Sequence, residues 1–221
     1  DVGMLGATGI VGSGVPIATG AALSSHVLGN KKVAIAFHGD GSVNQGVWHE
    51  SLNMAAVWNL PVIFVTENNQ MAVGTEQKRT TKETNIYKKA SAYGMEGVLA
   101  DGFNVFSVYN AVKKTVDKAR EGNGPTLIEC RYVRILGHFS GDDQWYRDTS
   151  NLEDFYNLCP IKRMREYFME KDVFTDNEIK AMENVAHQKV EEAIEYAENH
   201  CTIPDTKNIY NNLYANNEYI K

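Results

Sequence analysis

Asp40 and Asn69 are the two side chains whose surroundings suggest chemistry. Asp40 lies between Gly39 and Gly41, where an apolar run from Val33 to Phe37 breaks. Asn69 closes the triplet Glu67-Asn68-Asn69, where a second apolar run from Pro61 to Val65 breaks. A carboxylate, an amide carbonyl and a backbone carbonyl near Met71 are hard oxygen donors. They suit Mg²⁺, which takes oxygen ligands octahedrally and leaves several positions to phosphate and water. Gly39 and Gly41 would let the backbone approach a diphosphate closely, and the start of a helix near Asn44 favours anions. Either triplet alone is an ordinary turn. Placed at the ends of consecutive apolar runs, the two together point to a cation held with a phosphate ester.

For Asp40 and Asn69 to meet, the segment must be strand, tight turn, helix, strand, tight turn, which is one βαβ unit. Both strands then end on one edge of a parallel sheet, the edge where open α/β sheets bind ligands. The pattern predicts strands over 32–38 and 61–65, both buried. The helix predicted over 44–58 buries Val47, Leu52, Met54, Ala55 and Trp58, with His49 and Glu50 as a surface pair. A polar stretch over 75–85 is expected to be an exposed loop that orders over the site. A further unit follows: a strand over 97–100, a helix over about 105–120 capped by Asn104 or Ser107, and a β-branched strand over 126–133. The expected fold is therefore α/β, a mostly parallel sheet with helices on both faces.

Outside this core, residues 1–16 hold Gly3, Gly6, Gly9, Gly12 and Gly14, followed by a small-residue helix from Val15 to Leu28. No strand precedes these glycines, so they do not form a dinucleotide fingerprint. Two amphipathic helices are expected over 152–171 and 175–199, the second opened by a Thr175–Glu178 capping box and followed by Pro204. From Thr206 the chain is an Asn- and Tyr-rich tail. The domain reading is a core over 1–150, with 151–221 packed on the same domain. At 221 residues, 43% apolar and 23% charged, the composition is that of a globular protein. A net charge of −6 without a basic cluster argues against nucleic acid. Cys130, Cys159 and Cys201 lack metal-ligand spacing and suit a reducing compartment. No stretch reaches the length of a membrane span, so the expected location is cytoplasmic.

The text GDGSVNQGVWHESLNMAAVWNLPVIFVTENN resembles the α subunit of the thiamine-diphosphate-dependent 2-oxo acid and acetoin dehydrogenase components. The likeness runs from Gly3 to about Tyr210, and GMLGATGIVG is most like the acetoin-type members. Carried over by position, the resemblance implies Mg²⁺ held by Asp40, Asn69 and the carbonyl of Met71. It also implies diphosphate contacts at Gly39, Gly41 and Ser42. Gly9 and Val11 match positions against the aminopyrimidine ring, and Val73 matches a residue that keeps the cofactor bent. His138, in RILGHFSGDDQWYR, matches a catalytic histidine on an active-site loop closed by Tyr146-Arg147. Phe139 stands where regulated members carry a phosphorylatable serine.

The same resemblance implies cleavage of a 2-oxo acid or acetoin and passage of the acyl fragment to a lipoyl-bearing acyltransferase core. It implies a β subunit in an α2β2-type heterotetramer that supplies a glutamate to the cofactor, and hence a chain inactive alone. Family α subunits also carry a region before the segment at which Asp1 stands. Transketolase-like ketol transfer, simple decarboxylation and a noncatalytic assembly subunit remain alternatives.

Overall fold

The computed structural model describes residues 3–203 and 205–208. Its first unit, Asp1–Met164, begins with α1 (Gly14–Leu28). Val15, Ala18, Thr19, Ala22 and Ser25 form one buried stripe at the spacing of a helix face. Gly29 ends the helix in the left-handed conformation, φ 63°. There follow β1 (Ala34–Gly39), a 3₁₀ turn over Asp40–Asn44, α2 (Gly46–Val57) and β2 (Val62–Asn68). A two-residue hairpin comes next, β3 (Met71–Ala72) with β4 (Thr75–Glu76), then the single turn α3 (Gln77–Thr80). A 3₁₀ segment over Ile86–Tyr93 leads to β5 (Glu96–Asp101), α4 (Val105–Arg120) and β6 (Thr126–Arg131).

The main sheet has the order β1-β2-β6-β5, and every pairing in it is parallel. One face carries Ala36, Phe64 and Leu127 against α1, α2 and the 86–93 segment, with Val15, Trp48, Leu52 and Ile86 fully buried. The other carries Ile63, Val65, Ile128 and Cys130 against Val108, Ala111, Val112 and Val116 of α4. The expected parallel α/β sheet with helices on both faces is what forms. The central strands β2 and β6 are buried along nearly their whole length, as strands covered on both faces must be.

Three expectations for the sheet and the segments flanking it are corrected. β1 is an edge strand rather than a fully buried one: Ala36 and His38 point into the core, whereas Ile35 and Phe37 are exposed. In α2 the buried stripe is Trp48, Ser51, Leu52 and Ala55, while Val47, Met54 and Trp58 lie outward. Trp48 lies four residues before Leu52 on the buried face, whereas Trp58 falls beyond the last helical residue, at the C-cap, where the helix face no longer directs it inward. The stretch over 75–85 is not simply an exposed loop. Gln77 and Thr81 are buried, and Thr81 exchanges side-chain hydrogen bonds with Asn44.

Beyond β6 an irregular loop leads to α5 (Leu152–Tyr156) and α6 (Pro160–Glu170). Helix is thus interrupted within 152–171, and Pro160 opens the second piece, where a missing N–H is no loss. Phe155 stacks on Phe103, ring centres 6.3 Å apart. The second unit, Arg165–Lys221, contains α7 (Asp176–His200). Its capping box is present: Thr175 accepts from the Glu178 N–H, and the Thr175 N–H donates to the Glu178 carboxylate at 2.7 Å. Arg165 pairs with Asp176 and Glu183. Pro204 and the tail from residue 209 lie outside the described residues.

Candidate functional site

The parallel register brings the ends of β1, β2 and β6 together. Gly39 pairs with Glu67, and Asn68 with Arg131, so Asp40, Asn69 and Tyr132 each follow directly on adjacent strand ends. Asp40 is only 2% exposed, and its Oδ2 has no hydrogen-bond partner among the described residues. Burial raises its carboxyl above the usual range; a backbone hydrogen bond and the Arg134 guanidinium oppose that rise, and Glu129 adds to it. An unpartnered buried carboxylate oxygen is costly unless something charged completes it.

The turn around Asp40 is held from below. Trp48 Nε1 donates to His38 Nε2 at 3.2 Å, so the imidazole must carry its proton on Nδ1. That proton points to Ser42 Oγ at 3.1 Å, and the Ser42 hydroxyl donates to the Gly39 carbonyl at 2.6 Å. Burial lowers the pKa of His38 to about 4, keeping the ring neutral. Ser42 therefore turns its side chain inward.

At the end of β2, Asn68 Oδ1 accepts from Gln70 N–H and Asn69 Oδ1 accepts from Met71 N–H, both at 3.0 Å. Gln70 and Val73 adopt positive φ, 67° and 55°. For a β-branched residue such as Val73 this is a true outlier. A Cβ built on Gly41 would sit 2.6 Å from the Ala72 side chain, so the Asp40 turn and the β3–β4 hairpin close on one another. Glycine is required there for that approach.

The loop after β6 is folded on itself. Arg134 Nη2 donates to the Val73 carbonyl at 2.8 Å and to the Tyr146 hydroxyl at 2.6 Å. The Tyr146 hydroxyl and the His138 backbone N–H both donate to Asp142 Oδ2. Arg147 donates to the carbonyls of Ile135 and Leu136 at 2.9 and 3.0 Å. His138 is exposed, with no hydrogen bond to its imidazole among the described residues. Arg134 Nε is a second buried polar atom without a partner there.

Thus Gly39, Asp40, Gly41, Ser42, Asn69, Met71 and Val73 gather at one edge of the sheet, and His138 stands on a loop gripped to it. Gly9 and Val11 are exposed in the segment before α1. That segment reaches α2 at Gly12, where an added Cβ would lie 3.3 Å from Gln45. Sequence reasoning missed Glu129, Tyr132, Arg134 and Asp142. Burial raises the Tyr132 hydroxyl pKa, with the charge of Glu67 adding to the rise and the Asn69 side chain opposing it. For Tyr132 and Arg134 the available signal was position, since polar residues just past a strand end fall on the ligand-binding edge; Glu129, inside β6, carried no such signal.

The architecture is that of an open α/β fold whose polar residues collect at the carboxyl ends of parallel strands. The chain belongs to a family described as the dehydrogenase E1 component, whose model matches residues 1–205. It is 38% identical over 220 residues to the α subunit of acetoin:2,6-dichlorophenolindophenol oxidoreductase of Bacillus subtilis, covering 99% of this chain and 65% of that one. The Cupriavidus necator protein of the same name is 41% identical over 196 residues, covering 88% and 59%. Subunit α-3 of the chloroplastic pyruvate dehydrogenase E1 component of Oryza sativa is 37% identical over 221 residues, covering 96% and 52%. The chain thus spans about half to two-thirds of the length of these relatives.

Proposed function

We propose that this chain forms the thiamine-diphosphate-binding part of the α subunit of a 2-oxo acid or acetoin dehydrogenase component. The observation that carries the reading is Asp40 Oδ2, buried and unpartnered at the end of β1 beside the Asn69–Met71 turn. A divalent cation completes such an oxygen, and the donor set of carboxylate, amide and backbone carbonyl is one that suits Mg²⁺. In this reading Asp40, Asn69 and the Met71 carbonyl hold the ion. The backbone N–H groups of Gly41 and Ser42 meet the diphosphate, since the Ser42 hydroxyl is already engaged with Gly39. Val73, in the strained hairpin, presents a half-exposed side chain for the cofactor's bend. Gly9 and Val11 meet the aminopyrimidine ring.

Thiamine diphosphate, when bound, supplies carbanion stabilisation at the carbon that attacks the substrate carbonyl. His138 handles protons near that carbon and during transfer to the lipoyl group, a task suited to a histidine near neutral pH. The Arg134–Asp142–Tyr146 network holds the histidine's loop in place. The partners are a β subunit, in an α2β2-type assembly, and a lipoyl-bearing acyltransferase core; the substrate is a 2-oxo acid or acetoin. Among the described residues no helix is long and apolar enough to cross a membrane, and the three cysteines are free thiols. The reading keeps a reducing cytoplasmic setting.

The test is calorimetry of the assembled enzyme. Asp40→Ala is expected to lose Mg²⁺-dependent binding of thiamine diphosphate, and unchanged affinity would remove the site. Transfer to a lipoyl acceptor separates this reading from transketolase-like transfer or simple decarboxylation.

A further inference from the structure

Glu129 is a carboxylate with no solvent exposure, set within β6 between Thr66 of β2 and Leu99 of β5. Its Oε1 accepts from Asn68 Nδ2 at 2.7 Å and from Arg131 Nε and Nη2 at 3.0 and 2.7 Å. Its Oε2 accepts from the Tyr87 backbone N–H at 3.0 Å. Arg131 extends the network to Asn85 Oδ1 at 3.1 Å. A buried ion pair is weak support for stability, because apolar residues of similar volume often serve a core as well. What this carboxylate does is fix the place of particular groups.

Asn68 is the group that connects it to the metal edge. With Nδ2 tied to Glu129, the amide must turn Oδ1 toward Gln70, whose N–H it accepts at 3.0 Å. The Asn68 carbonyl meanwhile accepts from Tyr132 N–H at 3.0 Å. Gln70 is the residue at φ 67°, so the Asn68 bond holds a backbone conformation that the chain would not choose freely. Asn69 and Met71 flank that residue. Glutamine cannot fully replace Glu129 here. Its one acceptor oxygen could serve Asn68 and Arg131 while the Tyr87 N–H lost its partner, or the reverse, whereas leucine removes the acceptor from all of them.

We propose that Glu129 is a positioning residue for the metal site: its carboxylate orients Asn68, and Asn68 holds the Asn69-Gln70-Met71 turn in its ligating shape. The inference rests on the proposed site. A carboxylate that served the fold alone would lower the melting temperature on substitution and leave the Mg²⁺ affinity of the folded protein unchanged.

The experiment titrates Mg²⁺ by calorimetry into the enzyme assembled with its β subunit and saturated with thiamine diphosphate. The variants are Glu129→Leu, Asn68→Ala, the double variant and Asp40→Ala, with thermal unfolding measured alongside. Glu129→Leu and Asn68→Ala are each expected to weaken Mg²⁺ by about tenfold or more, about 1.4 kcal/mol. The double variant should be no weaker than the worse single one, because both break one link. Mg²⁺ affinity within about twofold of wild type in folded Glu129→Leu, or fully additive losses, would overturn the inference. If Glu129→Leu fails to assemble, Asn68→Ala alone decides, and unchanged affinity there is equally fatal. Normal binding by Asp40→Ala would instead overturn the underlying site and this inference with it.

Discussion

Arg134 spans from the loop after β6 to the carbonyl of Val73, 2.8 Å away, and so joins that loop to the hairpin after β2. The same guanidinium lies over the Tyr146 ring, 5.8 Å from its centre. Holding Val73 in its positive-φ conformation costs about 1–3 kcal/mol, and the Arg134 bond is one of the contacts that sustain it. Arg134→Ala should release both segments together. Chymotryptic cleavage at Trp145 and Tyr146 is expected to rise, with weaker cofactor binding in the same variant. An unchanged cleavage rate would show that Arg134 does not secure the loop.

Gly39 and Gly41 should differ sharply when changed to alanine. A Cβ on Gly39 meets nothing within 4 Å, whereas one on Gly41 sits 2.6 Å from the Ala72 side chain. Gly41→Ala should lower the stability of the ligand-free protein by about 1–3 kcal/mol, the range for overpacking. Gly39→Ala should melt near wild type. Thermal unfolding of the two variants checks the contrast, and equal melting temperatures would count against the close approach.

His138→Ala should bind cofactor nearly normally and lose most of the lipoyl-dependent rate. The imidazole is exposed, so its removal leaves no buried cavity. A rate loss of less than about tenfold, roughly 1.4 kcal/mol of barrier, would make the histidine structural.

Burial, with smaller contributions from the negative charges of Glu67 and Glu129, pushes the Cys130 thiol from 9.0 up to about 11. A folded-state pKa above the unfolded value means that the neutral thiol stabilises the fold fully below pH 9. That contribution is lost as pH rises through about 11. The stability advantage of wild type over Cys130→Ala should therefore shrink across that window, as followed by denaturant unfolding. At pH 8 iodoacetamide should label the exposed Cys201 well before Cys130. Early labelling of Cys130, seen by peptide mass analysis, would contradict its burial.

The sequence made the sheet edge legible because two apolar runs ended in polar, glycine-containing turns, and parallel pairing leaves such ends side by side. Capping was legible too: Asn104 accepts from Phe106 N–H and Ser107 N–H, while Ser107 Oγ accepts from the Asp101 N–H. Other features depended on tertiary neighbours. Whether β1 is central or at an edge depends on strand order, which no local pattern contains. Glu129 sits in an otherwise apolar-looking strand, and nothing in TLIECR marks it as the acceptor for Asn68 and Tyr87. Arg134 lay within a stretch already singled out for His138. Its role became visible only with the hairpin that it grips.

The tryptophans give the protein a built-in optical readout. Trp48 is fully buried and donates to His38 directly beneath the Asp40 turn, whereas Trp145 is 84% exposed on the loop that carries His138. An indole sealed against a neutral imidazole should emit at shorter wavelength and escape acrylamide. The loop indole should emit red-shifted light and quench at once. In a Trp58→Phe background, two emission components would separately follow the turn at the end of β1 and the loop after β6. Ordering at one could then be timed against ordering at the other without attaching any dye.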